Sequence, residues 1–451
     1  MQIPILPNEG FEIEITSMTT EGDGVGRHSG FAIFVEGAIT GETVMARIKW
    51  VEKRHAVAEL VQIIKPSPHR ISPPCPYFEP CGGCDVMHLD YDGQLDFKRQ
   101  RLEDALERIG NIQNVLVPDT IGSEQQLHYR NKAVFSFGNS KDGIVLGYYQ
   151  KESNEVVPID SCLLVPDGHQ PILAAVHAWA RQYEFKAFDR RTGQGLLRSV
   201  VLRKASSNKW YVGLVAAFMP HHTTELVQAI LAAQPDVACI LVNENDSRSS
   251  LVLGPKDTLL HGEAHMHEEI LGLSFQASIH SFLQVNSKLS ETMYQLVLQL
   301  CNLTGNELVL DAYCGIGTMT LLFAQQAARV VGVDIEEAAI EDANENARAN
   351  GITNVEFVCA KAEDAIAQLI ALQHPDIVVA DPPRAGCKRE FLDAVSQAGI
   401  ARMVYISCNP GTLARDAKIL AELGYMLIAV QPLDMFPQTN DIETVALFMR
   451  M

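Results

Sequence analysis

No run in this sequence approaches the ~18 uninterrupted apolar residues that a membrane-crossing helix needs. The amino-terminal stretch, MQIPILPNEGFEIEI, lacks the basic segment followed by an apolar core that marks a secretory signal. A cytoplasmic location is the expectation that follows. Low-complexity tracts are also missing, and 47% hydrophobic against 20% charged residues describes a chain that packs cores rather than a disordered one. Basic charge is scarce: 36 lysines and arginines face 55 acids, for a net charge of -19. Averaged over the chain, that deficit argues against a polyanionic partner, because phosphates reward cations. The average conceals two basic segments. Residues 46–70 hold Arg47, Lys49, Lys53, Arg54, Lys65 and Arg70 against Glu52 and Glu59, and residues 186–204 hold Lys186, Arg190, Arg191, Arg198, Arg203 and Lys204 against Asp189. Both are candidates to face phosphate. Residues 330–370 carry nine acids with only Arg348 and Lys361, so the acidity concentrates where a small-molecule cofactor is expected.

A chain of 451 residues exceeds one domain at ~100–200 residues each, and three segments differ in pattern. Residues 1–66 show short apolar alternations broken by glycines, which predicts an all-β, OB-like barrel. Prolines from Pro66 to Pro76 mark its end. Residues 67–280 read as an α+β central domain. Its amphipathic helix at 94–109 carries Leu95, Leu102, Leu106 and Ile109 on one face; a second helix is expected at 171–183, and SLVLG (250–254) is among its strand-like runs. Residues 281–451 alternate strands and helices at βα spacing, which specifies a doubly wound parallel sheet of Rossmann-like α/β class.

Within that last segment, Leu308–Thr318 is an apolar strand ending in a glycine turn that opens a helix. Gly315 and Gly317 let the backbone approach a ligand, and Asp334 closes the next strand with a carboxylate suited to ribose hydroxyls. A dinucleotide turn requires a third glycine where Thr320 stands, and Asp311 would repel a pyrophosphate, so S-adenosylmethionine is favoured over NAD. The fourth strand delivers Asp381-Pro382-Pro383-Arg384 to the ligand-binding edge. Next comes Met403–Ser407, a fifth strand, and Cys408-Asn409-Pro410 turns it into a helix over 411–423. Cys408 therefore lies beside a helix amino terminus, a location expected to favour thiolate. Cys239, Cys301 and Cys359 read as small buried hydrophobes.

Six motifs now stand in order: Tyr129-Arg130-Asn131-Lys132, Phe282-Leu283-Gln284-Val285-Asn286, Asp311 to Gly317, Asp381 to Gly386, Ser407-Cys408-Asn409-Pro410, and Glu443-Thr444-Val445-Ala446-Leu447. Together they resemble the RNA uracil-5 methyltransferases, which make 5-methyluridine in ribosomal and transfer RNA. The resemblance spans nearly the whole chain and is greatest to the bacterial 23S ribosomal RNA enzymes. It implies a class I methyltransferase domain in which Gln284, Tyr313, Asp334 and Asp381 contact S-adenosylmethionine, Cys408 is the nucleophile and Glu443 the base. Arg130, Asn131, Lys132 and Phe282 are the implied RNA contacts, with Phe282 divided between stacking on a base and core packing. One departure stands out: relatives often carry histidine two residues before the glutamate, where this chain has Asp441.

Cys75, Cys81 and Cys84 share one glycine-rich loop, and Cys162 follows much later. An intracellular chain keeps such thiols reduced, so metal binding is the better reading than disulfides. A zinc ribbon usually has two Cys-x2-Cys pairs and only one is present, so the three-plus-one pattern favours an iron–sulfur cluster. Many relatives carry a 4Fe-4S cluster at this spacing, and the barrel resembles the TRAM domain, an RNA-binding module. Two other classes stay in view. An RNA 5-methylcytosine methyltransferase usually has Pro-Cys after the fourth strand, whereas here the cysteine comes only at 387; a non-enzymatic iron–sulfur RNA-binding protein leaves Cys408 and Glu443 unexplained.

Overall fold

The computed structural model describes residues 5–451, and the side chains of all of these except 367, 368 and 370–373; the first four residues of the amino-terminal stretch lie outside the described residues. Strands β1 (Gly10–Met18), β2 (Gly24–His28), β3 (Phe31–Glu36), β4 (Thr43–Val51) and β5 (His55–Lys65) close into a barrel in the order β1-β2-β3-β5-β4. Alternate residues point inward, and Ile13, Ile15, Ile33, Val35, Val44 and Ile48 fill the interior. Gly26 is required at the β1–β2 contact, since a Cβ there would lie 2.2 Å from Ile13 Cγ2. Lys49, Lys53, Arg54 and Lys65 are exposed, as the basic reading of this segment expects.

Helix α1 (Tyr91–Arg108) follows the cysteine loop and packs Leu102, Ala105 and Leu106 into the carboxy-terminal sheet's core, against Leu413, Ala414 and Ala417. Its charged face is not all solvated: Gln94 and Lys98 are buried.

The central region forms one seven-stranded sheet, order β12-β11-β10-β9-β6-β7-β8. In chain order its elements are β6 (Lys132–Ser140), β7 (Gly143–Tyr149), β8 (Val156–Pro158), α2 (His169–Gln182), β9 (Leu197–Lys204), β10 (Trp210–Ala216), α3 (Thr223–Ala233), β11 (Val237–Glu244) and β12 (Lys256–Gly262). Three expectations are corrected here. Helix α3 was not foreseen, although Leu226 and Ile230 sit one turn apart and are its buried residues. SLVLG is not a strand, because its carbonyls are taken by side chains: Asn245 Nδ2 donates to Leu251 O (2.9 Å) and Val252 O (3.0 Å). Arg198 and Arg203 do not face outward; both are buried, Arg198 donating to Asn245 O at 3.0 Å and Arg203 to the Ile279 and Ser281 carbonyls. Of that segment's six basic residues, Lys186, Arg190 and Arg191 are exposed and Lys204 is half-buried.

A hairpin, β13 (Met266–Ile270) and β14 (Leu273–Ala277), leads into the α/β unit. That unit runs α4 (Ser287–Cys301), β15 (Leu308–Ala312), α5 (Thr318–Ala324), β16 (Arg329–Asp334), α6 (Glu337–Ala349), β17 (Val355–Cys359), α7 (Ala362–Gln373), β18 (Ile377–Ala380), α8 (Arg389–Gln397), β19 (Arg402–Ser407), α9 (Pro410–Glu422), β20 (Tyr425–Leu433) and β21 (Glu443–Arg450). The sheet order is β17-β16-β15-β18-β19-β21-β20, with β21 antiparallel to both neighbours. Met266, Leu273 and Phe275 of the hairpin share a core with α4 and β15, so this packing unit begins upstream of residue 281. No helix among the described residues is long and apolar enough to cross a membrane.

Candidate active site

Parallel pairing of β16, β15, β18 and β19 brings their carboxyl ends to one edge, with Tyr313, Asp334, Asp381 and Cys408 at or just beyond them. The chain order reverses between β15 and β18, the position where open α/β sheets bind ligands. Because β21 runs the other way, its first residue reaches the same edge. The β19–β21 register pairs Ser407 with Thr444, so Cys408 and Glu443 are the next step of the ladder.

The glycine turn is tied to β16. Tyr313, in the left-handed region at φ 69°, and Cys314 donate their amides to Val333 O at 2.8 and 3.0 Å. Asp334 accepts from Gly315 N at 2.9 Å and Glu336 N at 3.0 Å, which fixes its carboxylate at the strand end. Thr320, standing where a dinucleotide turn has glycine, is buried and donates to Asp311 Oδ2 at 2.6 Å. Burial pushes the Asp311 carboxyl up to about 7 despite that hydrogen bond. Burial likewise pushes Asp381 up to about 6.

Asn409 caps α9, accepting from Gly411 N (2.9 Å) and Thr412 N (3.4 Å), and Pro410 opens the helix where its missing amide hydrogen costs nothing. The half-buried Cys408 thiol sits just before this cap. Its expected thiolate character is not found: burial first, then Glu443 and Asp381, push it up to about 11, against the lowering influence of Arg384. Desolvation, the buried Glu443 and the half-buried Asp381 outweigh the exposed Arg384 guanidinium. Glu443 is itself 3% exposed, its Oε1 lacks a hydrogen-bond partner, and burial, Asp381 and Asp441 raise its carboxyl well above the usual range. Arg384 is paired to Asp441, Nη2 to Oδ1 at 2.8 Å.

The upstream motifs divide. Gln284 is buried and lines a cavity of about 150 Å³ with Asn131, Ser287 and Tyr294. Asn131 Nδ2 donates to Gln284 O (2.9 Å) and Ser287 Oγ (2.8 Å), so Asn131 is a brace rather than a free RNA contact. Tyr294 was missed by sequence reasoning; its phenol is raised by burial and then by Asp381, Glu443 and Asp311, which places it between this cavity and the acids. Nothing in the α4 sequence marks it. Arg384 was visible as a motif member without an assigned part, and Asp311 only as an argument against a pyrophosphate. Lys132 is pushed down to about 8 by burial and by Arg203, its cross-strand neighbour. Phe282 is 68% exposed, which excludes the core-packing alternative.

Cys75, Cys81, Cys84 and Cys162 line one cavity of about 50 Å³. Burial raises the Cys81, Cys84 and Cys162 thiols, and the neighbouring cysteines raise them further. Arg130, expected at RNA, lines the same cavity, and its Nε is buried without a partner. Among the described residues no group of three or more His, Cys, Asp or Glu is gathered tightly enough to hold one metal ion. Cys239 and Cys301 are buried as expected, whereas Cys359 is exposed at the end of β17.

Fold and edge together define a class I, S-adenosylmethionine-dependent methyltransferase. Residues 266–451 match the tRNA (Uracil-5-)-methyltransferase family and residues 7–61 the TRAM domain. An uncharacterized RNA methyltransferase of Caldanaerobacter subterraneus is 40% identical over 98% of this chain and 98% of its own, and one of Halalkalibacterium halodurans is 39% identical over 99% and 98%. The crystal structure of Pyrococcus abyssi tRNA (uracil-54, C5)-methyltransferase in complex with S-adenosyl-L-homocysteine covers 97% of this chain and 100% of its own, at 27% identity and a TM-score of 0.76. The chain belongs to the uracil-5 RNA methyltransferase family, with an amino-terminal TRAM domain.

Proposed function

We propose that the protein methylates C5 of uridine in 23S ribosomal RNA, in the cytoplasm, through a covalent adduct between Cys408 and uracil C6. The observation that carries this reading is the β19–β21 register, which sets a thiol and a carboxyl side by side at the cofactor edge. Uracil C5 is too weak a nucleophile to attack a sulfonium unaided. Addition of the Cys408 thiolate to C6 forms the S–C6 bond and shifts the C5=C6 pair into an enolate. C5 then takes the methyl group as its bond to the sulfonium breaks and S-adenosylhomocysteine leaves. Glu443 removes the C5 proton, C5=C6 re-forms, and the thiolate departs. Gln284, Tyr313, Asp334 and Asp381 hold the cofactor. Asp334, its oxygens oriented by two backbone amides, is suited to the ribose hydroxyls. Phe282, exposed beside the site, stacks on a base flipped from its neighbours, a contact worth about 1–3 kcal/mol.

The four-cysteine cavity fits an iron–sulfur cluster by its all-thiol donor set and by Arg130 in its lining, a cation suited to an anionic cluster, with its Nε buried and without a partner. A bound 4Fe-4S cluster would cross-link the 75–84 loop to Cys162; uracil methylation needs no electron from it. We take 1–66, 67–280 and 281–451 as the functional segments, with α1 and the β13–β14 hairpin serving the catalytic core.

A transfer RNA substrate is the second reading, favoured by the likeness to the Pyrococcus abyssi enzyme. Mapping 5-methyluridine in RNA from cells lacking the gene decides between them: loss from 23S ribosomal RNA supports the first reading, and loss from transfer RNA alone supports the second. In vitro, Cys408→Ala is expected to abolish methyl transfer to uridine-containing RNA.

A further inference from the structure

Antiparallel neighbours need only about two to five residues to turn, yet the connection between β20 and β21 runs from 434 to 442. Most of it is buried, with Asp434, Met435, Gln438, Thr439 and Ile442 nearly inaccessible. A buried loop must find partners for its backbone groups. Here they come from separate parts of the chain. From the cysteine loop, Asp85 and Val86 donate their amides to Gln438 O at 3.1 and 3.2 Å, and Asp85 Oδ2 accepts from Asn440 N at 3.1 Å. From α1, the Gln94 amide pairs both ways with Gln438, accepting from its backbone N (2.9 Å) and donating to its Oε1 (3.0 Å). Lys98, also on α1, is ion-paired to Asp434 and donates to Phe436 O at 3.0 Å, and Arg101 donates to Asn440 O. The barrel contributes Thr20 O, which accepts from Asn440 Nδ2 at 3.1 Å, and Tyr129 Oη donates to Pro437 O at 3.0 Å. Gln438 is held at φ 73°, a conformation a glutamine keeps only when its surroundings impose it.

Glu443 follows directly. Because its Oε1 has no hydrogen-bond partner, its placement is inherited from the backbone that precedes it. We infer that the 434–442 connection is a strut that positions Glu443, and that Asp85, through the Asn440 amide, is a positioning residue for the elimination half of the reaction. Proton removal needs the carboxylate within hydrogen-bond reach of C5, whereas thiolate addition and methyl transfer depend on Cys408 and the cofactor, to whose edge the strut is hydrogen-bonded at Asp441, through Arg384, and not at the Asn440 amide that Asp85 holds. Asp85 is the neighbour of Cys84, so the cysteine loop and the base share one rigid link. The inference rests on the assignment of Glu443 as the base.

The test uses the full-length protein with uridine-containing RNA and S-adenosylmethionine, following single-turnover methyl transfer and decay of the denaturation-resistant enzyme–RNA adduct separately. Asp85→Ala is expected to slow adduct decay at least about tenfold, with methyl transfer within about threefold of wild type. It should also speed hydrogen exchange at 438–440 while amides of the 313–317 turn keep their protection. Asp85→Asn retains an acceptor for Asn440 N and is expected to restore most of the decay rate. Asn440→Ala keeps the backbone amide that Asp85 holds but loses the Nδ2 bond to Thr20 O, which loosens the same strut from the barrel side; a smaller delay is expected, and this arm tests the strut if Asp85→Ala does not fold. Wild-type adduct decay in Asp85→Ala overturns the inference, as does an equal loss of methyl transfer and decay, or wild-type decay in Asn440→Ala where Asp85→Ala does not fold. Glu443→Gln is the control: if it traps no adduct the base assignment itself falls, and if it traps adduct while Asp85→Ala does not, only the strut falls.

Discussion

A thiol that ionises near 11 is only about one part in ten thousand thiolate at neutral pH. Cys408 in the RNA-free enzyme is thus held mainly as the thiol. The sign is plain: alkylation of Cys408, followed by peptide-resolved mass spectrometry, is expected to keep rising from about pH 7 to pH 10. A plateau near about 8.5, the usual value for a free cysteine, would contradict this. Replacing Arg384 by Met removes a neighbouring cation that lowers the thiol's pKa and should slow alkylation further. The place of Cys408 was legible in the sequence, because a strand end followed by Asn409-Pro410 is a local signal. Its electrostatics were not, because the acids that raise it, Glu443 and Asp381, arrive from other strands. Phe282 shows the same limit: the letters allowed core or surface, and only the tertiary packing decides.

At the scale of elements, the β19–α9 junction is held by the Asn409 cap. Asn409→Ala is expected to lower unfolding free energy by about 1 kcal/mol in urea denaturation, the ordinary cost of losing an Asn cap. An unchanged midpoint would mean that tertiary packing alone fixes the turn. The βα alternation after Ser287 was readable from its continuous apolar runs and helix α1 from Leu102 and Leu106, although Ile109 is exposed and Gln94 and Lys98 are buried. Helix α3 was hidden among strand-rich neighbours, and SLVLG imitated a strand because its partners are the Asn245 and Arg198 side chains, which spacing does not reveal. The 434–442 connection was equally silent, as its order comes from Asp85, Gln94 and Lys98, hundreds of residues away.

For the whole molecule, a net charge of -19 repels RNA at long range, so binding must rest on local cations. The barrel's β4–β5 turn carries exposed Lys53 and Arg54 beside the half-exposed Trp50. A double Lys53→Ala, Arg54→Ala variant is expected to flatten the dependence of log affinity on log salt by about 1–2, leaving cofactor affinity unchanged. An unaltered slope would move the RNA path off the barrel turn. Three compositional segments were visible in the sequence, but α1 and the β13–β14 hairpin, which lie before residue 281, help build the carboxy-terminal core, a closure that no linear boundary expresses. The central claim, a uracil adduct on Cys408 resolved by Glu443, meets its most direct test in the Glu443→Gln enzyme incubated with RNA and S-adenosylmethionine. The account predicts a denaturation-resistant enzyme–RNA complex, carrying the transferred methyl group and mapping to Cys408. Absence of that complex, or its attachment at another cysteine, would contradict it.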